Sequence, residues 1–283
     1  MSRPDGLLRE ASQELEKAAI PSPRREATLL LASLLGRSEA WLLAHDQEEV
    51  PPAAEARFRD LVRRRIRSEP VAYLLGAKEF FGRSFVVDRR VLIPRPETEH
   101  LVEAALTLAL PDDARILDLG TGSGILAVTL AAERPGWRVV ATDISPAALA
   151  VAAINARRWR VAERVARVAV DLDRALRLES FDLVVSNPPY VARAQAEALP
   201  ADVARYEPEL ALFGGEDGLA VLRRILAAAS ALKAGAHLAM EIGAGQVGAV
   251  LDAARRRGDL ALVATIADLA GISRDVVFKR RDG

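Results

Sequence analysis

The spacing of apolar residues divides the chain into a helical first part and a longer part in which strands and helices alternate. Apolar side chains recur every three or four positions in residues 5–19, which predicts an amphipathic helix. Similar spacing predicts two more helices, over residues 24–36 and 51–68. We therefore expect residues 1–75 to fold as a small helical domain.

Residues 76–97 have a shorter period, which indicates a β-hairpin. The stretch Phe-Gly-Arg-Ser-Phe at 81–85 predicts a strand, a turn and a second strand, and Pro94 and Pro96 would end the segment. We expect this hairpin to link the helical domain to the rest of the chain.

From residue 98 onward, segments typical of buried strands alternate with helical segments. The predicted strands are residues 114–120, 137–143, 166–172, 181–187, 236–243, 261–268 and 275–281. The predicted helices lie near residues 124–134, 146–158, 217–232 and 245–257. For residues 98–283 this alternation predicts an α/β fold with a doubly wound, mostly parallel seven-stranded sheet, whose ligands bind beyond the carboxyl ends of the strands. The last two strands have too short a connection for a helical crossover, so we expect them to be antiparallel neighbours.

Charge and composition then exclude several classes of function. The 39 basic residues balance the 39 acidic ones, so no global positive field would draw the protein onto nucleic acid. The absence of cysteine excludes disulfides, thiolate metal sites and cysteine nucleophiles. The histidines form no HxxxH pair, so no metal site is predicted. No apolar run approaches the ~18 residues that a membrane helix needs, and we expect a soluble, cytoplasmic protein.

The first predicted strand of the sheet ends in a glycine-rich loop that is suited to a cofactor. Asp118 precedes this loop, and a helix follows at once. Glycines let the backbone approach a ligand closely, and the N–H groups at the helix start face that ligand. Ile125 stands where the dinucleotide fingerprint GxGxxG has its third glycine, so the spacing favours a cofactor without a pyrophosphate. The candidate cofactor-binding residues of the loop are Gly120, Thr121, Gly122, Ser123 and Gly124.

Asp143 ends the next predicted strand, where a carboxylate can accept hydrogen bonds from both hydroxyls of a ribose. Together with the glycine loop, this position suggests S-adenosyl-L-methionine. The alternative is a tight turn and an aspartate that caps the helix at Ser145 and Pro146. Asp171 and Leu172 close the third predicted strand and would flank the adenine.

The fourth predicted strand runs into Asn187, Pro188, Pro189 and Tyr190, which no sheet could continue. The Asn187 side-chain oxygen and the Pro188 carbonyl could accept both protons of a planar amino or amide group, and Pro189 offers no competing N–H. Tyr190 could cover that planar group with its ring. A Pro-Pro turn that merely ends a strand is the structural alternative.

These motifs resemble those of the class I methyltransferases that modify planar nitrogens. Four other segments are similar to the HemK/PrmC family, the N5-glutamine methyltransferases of peptide chain release factors. They are LIPRPETE at 92–99, YEPELALFGGEDGL at 206–219, EIGAGQ at 241–246 and DLAGISR at 268–274.

The resemblance implies that the substrate is the glutamine of the Gly-Gly-Gln loop of release factors, methylated on its side-chain amide nitrogen. It implies that residues 187–190 hold this glutamine, and that Asn187 also contacts the cofactor. Arg95, Pro96 and Glu97 would line the pocket, and the N-terminal helices would contact the body of the release factor. The family often carries tryptophan where this chain has Leu172.

Other readings of the same motifs remain open. A sister enzyme that methylates a glutamine of a ribosomal protein shares the Asn-Pro-Pro-Tyr motif, although the segments at 92–99 and 268–274 favour the release factor enzyme. A nucleic-acid base methyltransferase would be expected to carry a strongly basic recognition domain, and the balanced net charge of this chain argues against one. A binding module without catalysis predicts a changed Asn187 or Pro188, and both are present.

Overall fold

The structure, a computed structural model, describes residues 2–172, 174 and 176–282. The chain divides into two compact units. A helical unit comprises the residues up to 77 together with 200–206, and an α/β unit comprises residues 78–199 and those from 207 onward. In the described part of the chain, no helix combines the length and the apolar character that crossing a membrane requires.

The helical unit is built around apolar side chains that face one another from successive helices. Its core includes Leu15 on α1, Leu30 on α2 and Phe58 on α4, each at most 1% exposed. Arg65 is also buried, and its guanidinium donates to Glu26 at 2.6 Å. The helices are α1 (Pro4–Lys17), α2 (Pro23–Leu35), α3 (Glu39–Ala44), α4 (Pro52–Ile66), α5 (Val71–Leu75) and α9 (Ala201–Tyr206).

A short two-stranded sheet, β1 (Ala77–Phe80) and β2 (Arg83–Val86), follows the first five helices. Phe81 and Gly82 join its strands with φ of 50° and 66°, the left-handed backbone that a tight hairpin turn requires. Phe80 and Phe85 are buried in the core of the α/β unit. The functional division of the chain at residues 75 and 97 stays a prediction.

The described residues of the α/β unit form a seven-stranded sheet in the order β5-β4-β3-β6-β7-β9-β8. Its strands are β3 (Arg115–Leu119), β4 (Arg138–Asp143), β5 (Val165–Ala169), β6 (Leu183–Ser186), β7 (His237–Glu241), β8 (Leu260–Ala267) and β9 (Ser273–Arg280). Strands β3 to β7 are parallel to one another, whereas β9 is antiparallel to both β7 and β8. The predicted fold class and the antiparallel final pair are therefore confirmed.

Helices cover both faces of this sheet because its central strands are apolar on both sides. Ile116 and Leu183 belong to the core on one face, with helices α6 and α7. Leu117 and Val184 belong to the core on the other face, with α11 and α12. The helices of this unit are α6 (Thr98–Thr107), α7 (Ile125–Glu133), α8 (Pro146–Arg158), α10 (Glu209–Leu212), α11 (Ala220–Ala228) and α12 (Val247–Arg257), with short 3-10 helices at Leu178–Ser180, Arg193–Ala198 and Ala229–Ala231.

Two sequence expectations about elements were wrong in detail. The third predicted strand, which the structure shows as β5, ends at Ala169. Asp171 and Leu172 therefore lie beyond this strand and not at its end. The helix predicted at 217–232 is α-helical only over Ala220–Ala228. Helix α6 was not predicted, although it begins at Thr98, next to the site described below.

Candidate active site

A cavity of about 290 Å³ opens where β3, β4 and β6 end. This volume is close to the lower limit of ~300 Å³ for ligand pockets. Nine residues predicted from the sequence line it: Gly120, Thr121, Gly122, Ser123, Asp143, Asp171, Leu172, Asn187 and Pro189. The cavity therefore brings together the glycine loop, the Asp143 strand end and part of the Asn-Pro-Pro-Tyr segment.

The glycine loop presents open backbone to this cavity. Gly120 and Gly122 have φ of 72° and 55°, and a Cβ added to either would meet no atom within 4 Å. Gly124 is different, because an added Cβ would lie 3.0 Å from the Cβ of Ala152 on α8. Gly124 is not among the cavity residues, so its contribution is to let α7 and α8 pack closely.

The carboxyl group of Asp118 holds the glycine loop in place. Its Oδ2 accepts hydrogen bonds from the Thr121 hydroxyl at 2.6 Å and from the Ala127 N–H at 3.1 Å. Burial raises the pKa of the Asp118 carboxyl from its ordinary 3.8 to about 7, against the lowering effect of both hydrogen bonds. The carboxyl thus ties the loop to the first turn of α7.

Asp143 is held in place by backbone N–H groups on both sides. Oδ2 accepts from Gly122 at 2.9 Å and Oδ1 accepts from Ser145 at 2.8 Å. Burial raises the pKa of this carboxyl, and the backbone hydrogen bonds lower it. Since each carboxylate oxygen has two lone pairs, one acceptor position on each oxygen is left for a ligand.

Ile144 was missed by the sequence reasoning, although it directly follows Asp143. It lines the cavity and is 55% exposed, which is unusual for a large apolar side chain. An exposed apolar surface beside a carboxylate suits a planar base attached to a ribose. The signal in the sequence was one apolar residue between two polar ones at a strand end.

Asp171 and Leu172 line the cavity from the segment that follows β5. The Asp171 carboxylate pairs with Arg224 at 2.9 Å, and this hydrogen bond lowers its pKa. Leu172 has φ of 56°, in the left-handed region, so its position is set by the turn and not by the strand. The predicted adenine contacts of both residues stay predictions.

Asn187 stands directly after β6, with its amide held on one side only. Its Nδ2 donates to the Thr98 hydroxyl at 3.0 Å, and its Oδ1 has no hydrogen bond to any described residue. The preceding Ser186 hydroxyl donates to the Leu119 carbonyl at 2.7 Å, which ties the ends of β6 and β3 together. Pro188 is buried, while Pro189 reaches the cavity.

Tyr190 and Arg95 are not among the residues that line the cavity. The Tyr190 hydroxyl donates to Glu241 Oε1 at 3.1 Å, and burial beside this carboxylate raises the Tyr190 pKa. Arg95 pairs at 2.6 Å with the buried Glu207. Pro96 is exposed and Glu97 half-buried, and neither is a cavity residue. The predicted substrate contacts of these residues stay predictions.

Thr98, Glu241 and Gln246 surround the Asn-Pro-Pro-Tyr segment, and sequence reasoning gave none of them a role. Glu241 Oε2 accepts from the Thr98 hydroxyl at 2.6 Å. Gln246 Nε2 donates to the Tyr190 carbonyl at 2.9 Å. The available signal was their place in the segments at 92–99 and 241–246 that carried the family resemblance.

The sheet order, the antiparallel last pair and the glycine loop after the central strand β3 define a class I methyltransferase fold. In agreement, the chain matches family models described as "PrmC N-terminal domain" over residues 6–76 and "Methyltransferase small domain" over residues 98–205. A solved structure of a methyltransferase from Pyrococcus furiosus is 16% identical with a TM-score of 0.55, covering 78% of this chain and 99% of that one. This likeness concerns the fold alone.

Curated relatives identify the family. A release factor glutamine methyltransferase of Bordetella pertussis is 49% identical over 255 residues, which cover 89% of this chain and 93% of the relative. One from Koribacter versatilis is 42% identical over 273 residues, which cover 95% and 96% of the two chains. The chain belongs to the release factor glutamine methyltransferase family.

Proposed function

We propose that this protein transfers a methyl group from S-adenosyl-L-methionine to the side-chain amide nitrogen, N5, of the glutamine in the Gly-Gly-Gln loop of peptide chain release factors. The observation that carries the proposal is similarity to release factor glutamine methyltransferases over 89% or more of the chain, at 49% and 42% identity. The matched region includes both the helical unit and the α/β unit.

The cavity fits S-adenosyl-L-methionine in the chemistry of its lining. The open backbone at Gly120 and Gly122 can approach the amino-acid part of the cofactor closely. Asp143 keeps acceptor positions for the ribose hydroxyls, and Ile144 and Leu172 provide apolar surface for the adenine. When bound, the cofactor supplies an electrophilic methyl group on a sulfonium.

The acceptor nitrogen is a poor nucleophile because its lone pair is delocalised into the amide. Asn187 Oδ1 and the Pro188 carbonyl would accept its two N–H groups and aim the nitrogen at the methyl group. Orientation of this kind contributes up to ~7–11 kcal/mol in favourable cases. No dedicated base is needed, because the nitrogen can release its proton after the methyl group has been transferred.

A labelling experiment tests this proposal. The protein is incubated with methyl-labelled S-adenosyl-L-methionine and, in separate reactions, with purified release factor, ribosomal subunits and DNA. We expect label on the release factor, and none on a release factor whose Gly-Gly-Gln glutamine is replaced. Label found only on ribosomal protein would support the sister enzyme, and label only on DNA would support a base methyltransferase.

A further inference from the structure

We propose that Thr98 and Glu241 are positioning residues for methyl transfer, because they fix which way the Asn187 amide faces and hold the Tyr190 hydroxyl. This inference rests on the proposed function for its kinetic test. It concerns two residues outside the Asn-Pro-Pro-Tyr segment, on helix α6 and strand β7.

The orientation of the Asn187 amide follows from counting donors and acceptors at Thr98. A hydroxyl has one proton, and a carboxylate can only accept. The Thr98 hydroxyl lies 2.6 Å from Glu241 Oε2, so its proton is directed there. Its oxygen can then only accept, which requires the NH2 end of Asn187 to face it at 3.0 Å. The amide oxygen is therefore turned away from Thr98, free to accept from a substrate.

Glu241 is placed to hold both parts of the segment at once. Its second oxygen, Oε1, accepts from the Tyr190 hydroxyl at 3.1 Å, and Glu241 as a whole is 2% exposed. A buried carboxylate is costly unless it is hydrogen-bonded, and here each oxygen receives one donor. One carboxylate thus connects Tyr190 directly, and Asn187 through Thr98.

Helix α6 does not need the Thr98 hydroxyl for its own structure. The residue at the N-cap of α6 is Glu97, and its side chain forms no capping hydrogen bond. Thr98 is 0% exposed, and the hydrogen bonds of its hydroxyl are to Glu241 and Asn187, 143 and 89 residues away. A buried threonine whose hydroxyl serves two remote side chains is positioned by the tertiary fold and not by local helix chemistry.

The surroundings of Asp275, the neighbour of Glu241 in the sheet, favour the charged form of Glu241. Asp275 on β9 is its cross-strand partner, and neither Asp275 oxygen has a hydrogen-bond partner in the described part of the chain. Burial and the Glu241 charge raise the pKa of Asp275 to about 8. Burial raises the pKa of Glu241 as well, but the hydrogen bonds from Thr98 and Tyr190 lower it, whereas Asp275 receives no hydrogen bond from the described residues. The shared proton is therefore held by Asp275, and Glu241 keeps its charge.

The sequence allows a direct test of the amide orientation. Asn155 and Asn187 are its only asparagines, so a protein labelled with ¹⁵N at asparagine side chains gives two NH2 signals. Asn155 donates to the carbonyls of Val86 and Ser123, and it serves as an internal reference. In Thr98→Val, we expect the Asn187 NH2 signals to move and the Asn155 signals to stay.

Thr129→Val is a matched control, because Thr129 is also 0% exposed and its hydroxyl has no partner among the described residues. It should leave the Asn187 signals and turnover as in the wild type. In Thr98→Val, turnover at saturating release factor should fall ~10- to 100-fold, with KM and cofactor affinity within ~3-fold. Thr98→Ser keeps the hydroxyl and should restore most of the lost turnover.

Glu241→Gln separates positioning from support of the fold. Removal of a buried charge should leave thermal stability unchanged or raise it. Turnover should nevertheless fall several-fold, because the Gln NH2 group must face either Thr98 or Tyr190 and reverse one of the two hydrogen bonds. A purely structural role predicts that stability and turnover fall together.

The inference is wrong if Thr98→Val leaves both the Asn187 signals and turnover at wild-type values, or if Thr98→Ser and Thr98→Val lose turnover equally. If Thr98→Val does not fold, the stability and turnover of Glu241→Gln distinguish a positioning role from a structural one instead. Failure of the proposed function has a different signature, namely a wild-type protein that methylates no release factor. The NMR comparison still tests the orientation of Asn187 in that case.

Discussion

The two halves of the site are held together in different ways. We call the glycine loop with Asp118 and Asp143 the cofactor half, and Asn187–Tyr190 with Thr98, Glu241 and Gln246 the acceptor half. In the cofactor half, the carboxylates mostly accept hydrogen bonds from backbone N–H groups that lie 2 to 21 residues away in the sequence. In the acceptor half, side chains bind one another or a distant carbonyl, over separations of 51 to 143 residues.

This difference reflects what each half has to bind. A cofactor that is the same in every turnover can be held by a loop whose backbone is fixed locally. An acceptor amide has to be aimed, which needs side chains whose own donors and acceptors are fixed by several elements of the fold. The two halves should therefore respond separately to substitution.

Asn187→Ala should have the largest effect on turnover. It removes the side-chain acceptor for the glutamine amide, and we expect turnover to fall by ~100-fold or more. Single-turnover methylation of the release factor measures the effect. A loss of less than about threefold would show that Asn187 does not orient the amide.

Asp143→Asn should act on the cofactor half. An asparagine there would place an NH2 group against the N–H of Gly122 or of Ser145, and it would weaken the contact with the ribose. We expect cofactor affinity to fall ~10- to 100-fold, measured by calorimetry. Asp252→Asn on α12, where the carboxylate is 59% exposed, should leave the affinity unchanged.

Gly124→Ala should lower stability more than Gly122→Ala. Both positions have positive φ, which costs a non-glycine residue ~1–2 kcal/mol. At Gly124 the new Cβ would also lie 3.0 Å from the Ala152 Cβ, which adds a further ~1–3 kcal/mol of overpacking. The free energy of unfolding in urea measures both variants. Equal losses would contradict the assigned packing role of Gly124.

Asp275→Asn should have the smallest effect, and one that depends on pH. The folded-state pKa of Asp275 is raised from 3.8 to about 8, so the folded protein binds a proton there that the unfolded chain has released. Stability from this group is therefore lost as pH rises from about 4 to about 8. Relative to the wild type, the free energy of unfolding of the variant, measured by urea titration, should therefore increase as pH rises across this range. A pH-independent difference between the two proteins would show that the group does not titrate there.

Local patterns made much of the α/β unit predictable. Strand and helix periods, with Pro and Gly at the ends, led to the seven strands and the glycine loop. Helices such as α3 and α10, with 6 and 4 residues, are too short for their apolar residues to show a helical period. The backbone turn that places Leu172 at φ of 56° was also not readable from apolar spacing.

The acceptor half was only partly predictable for a related reason. Asn187 and Pro188 could be placed at a strand end from their own sequence. Their partners could not, because Thr98 and Glu241 lie 89 and 51 residues from the residues that they hold. A pairing over such distances is set by the order of strands in the sheet and not by any local pattern.

The central claim, that one half binds the cofactor and the other orients the acceptor, is tested most directly by measuring two quantities on the same two variants. These quantities are the affinity for S-adenosyl-L-methionine and the turnover of release factor at saturating cofactor, in Asn187→Ala and Asp143→Asn. We predict that Asn187→Ala loses turnover with affinity within ~3-fold of the wild type, and that Asp143→Asn loses affinity and regains most of its turnover at saturation. Proportional loss of both quantities in both variants would contradict the claim.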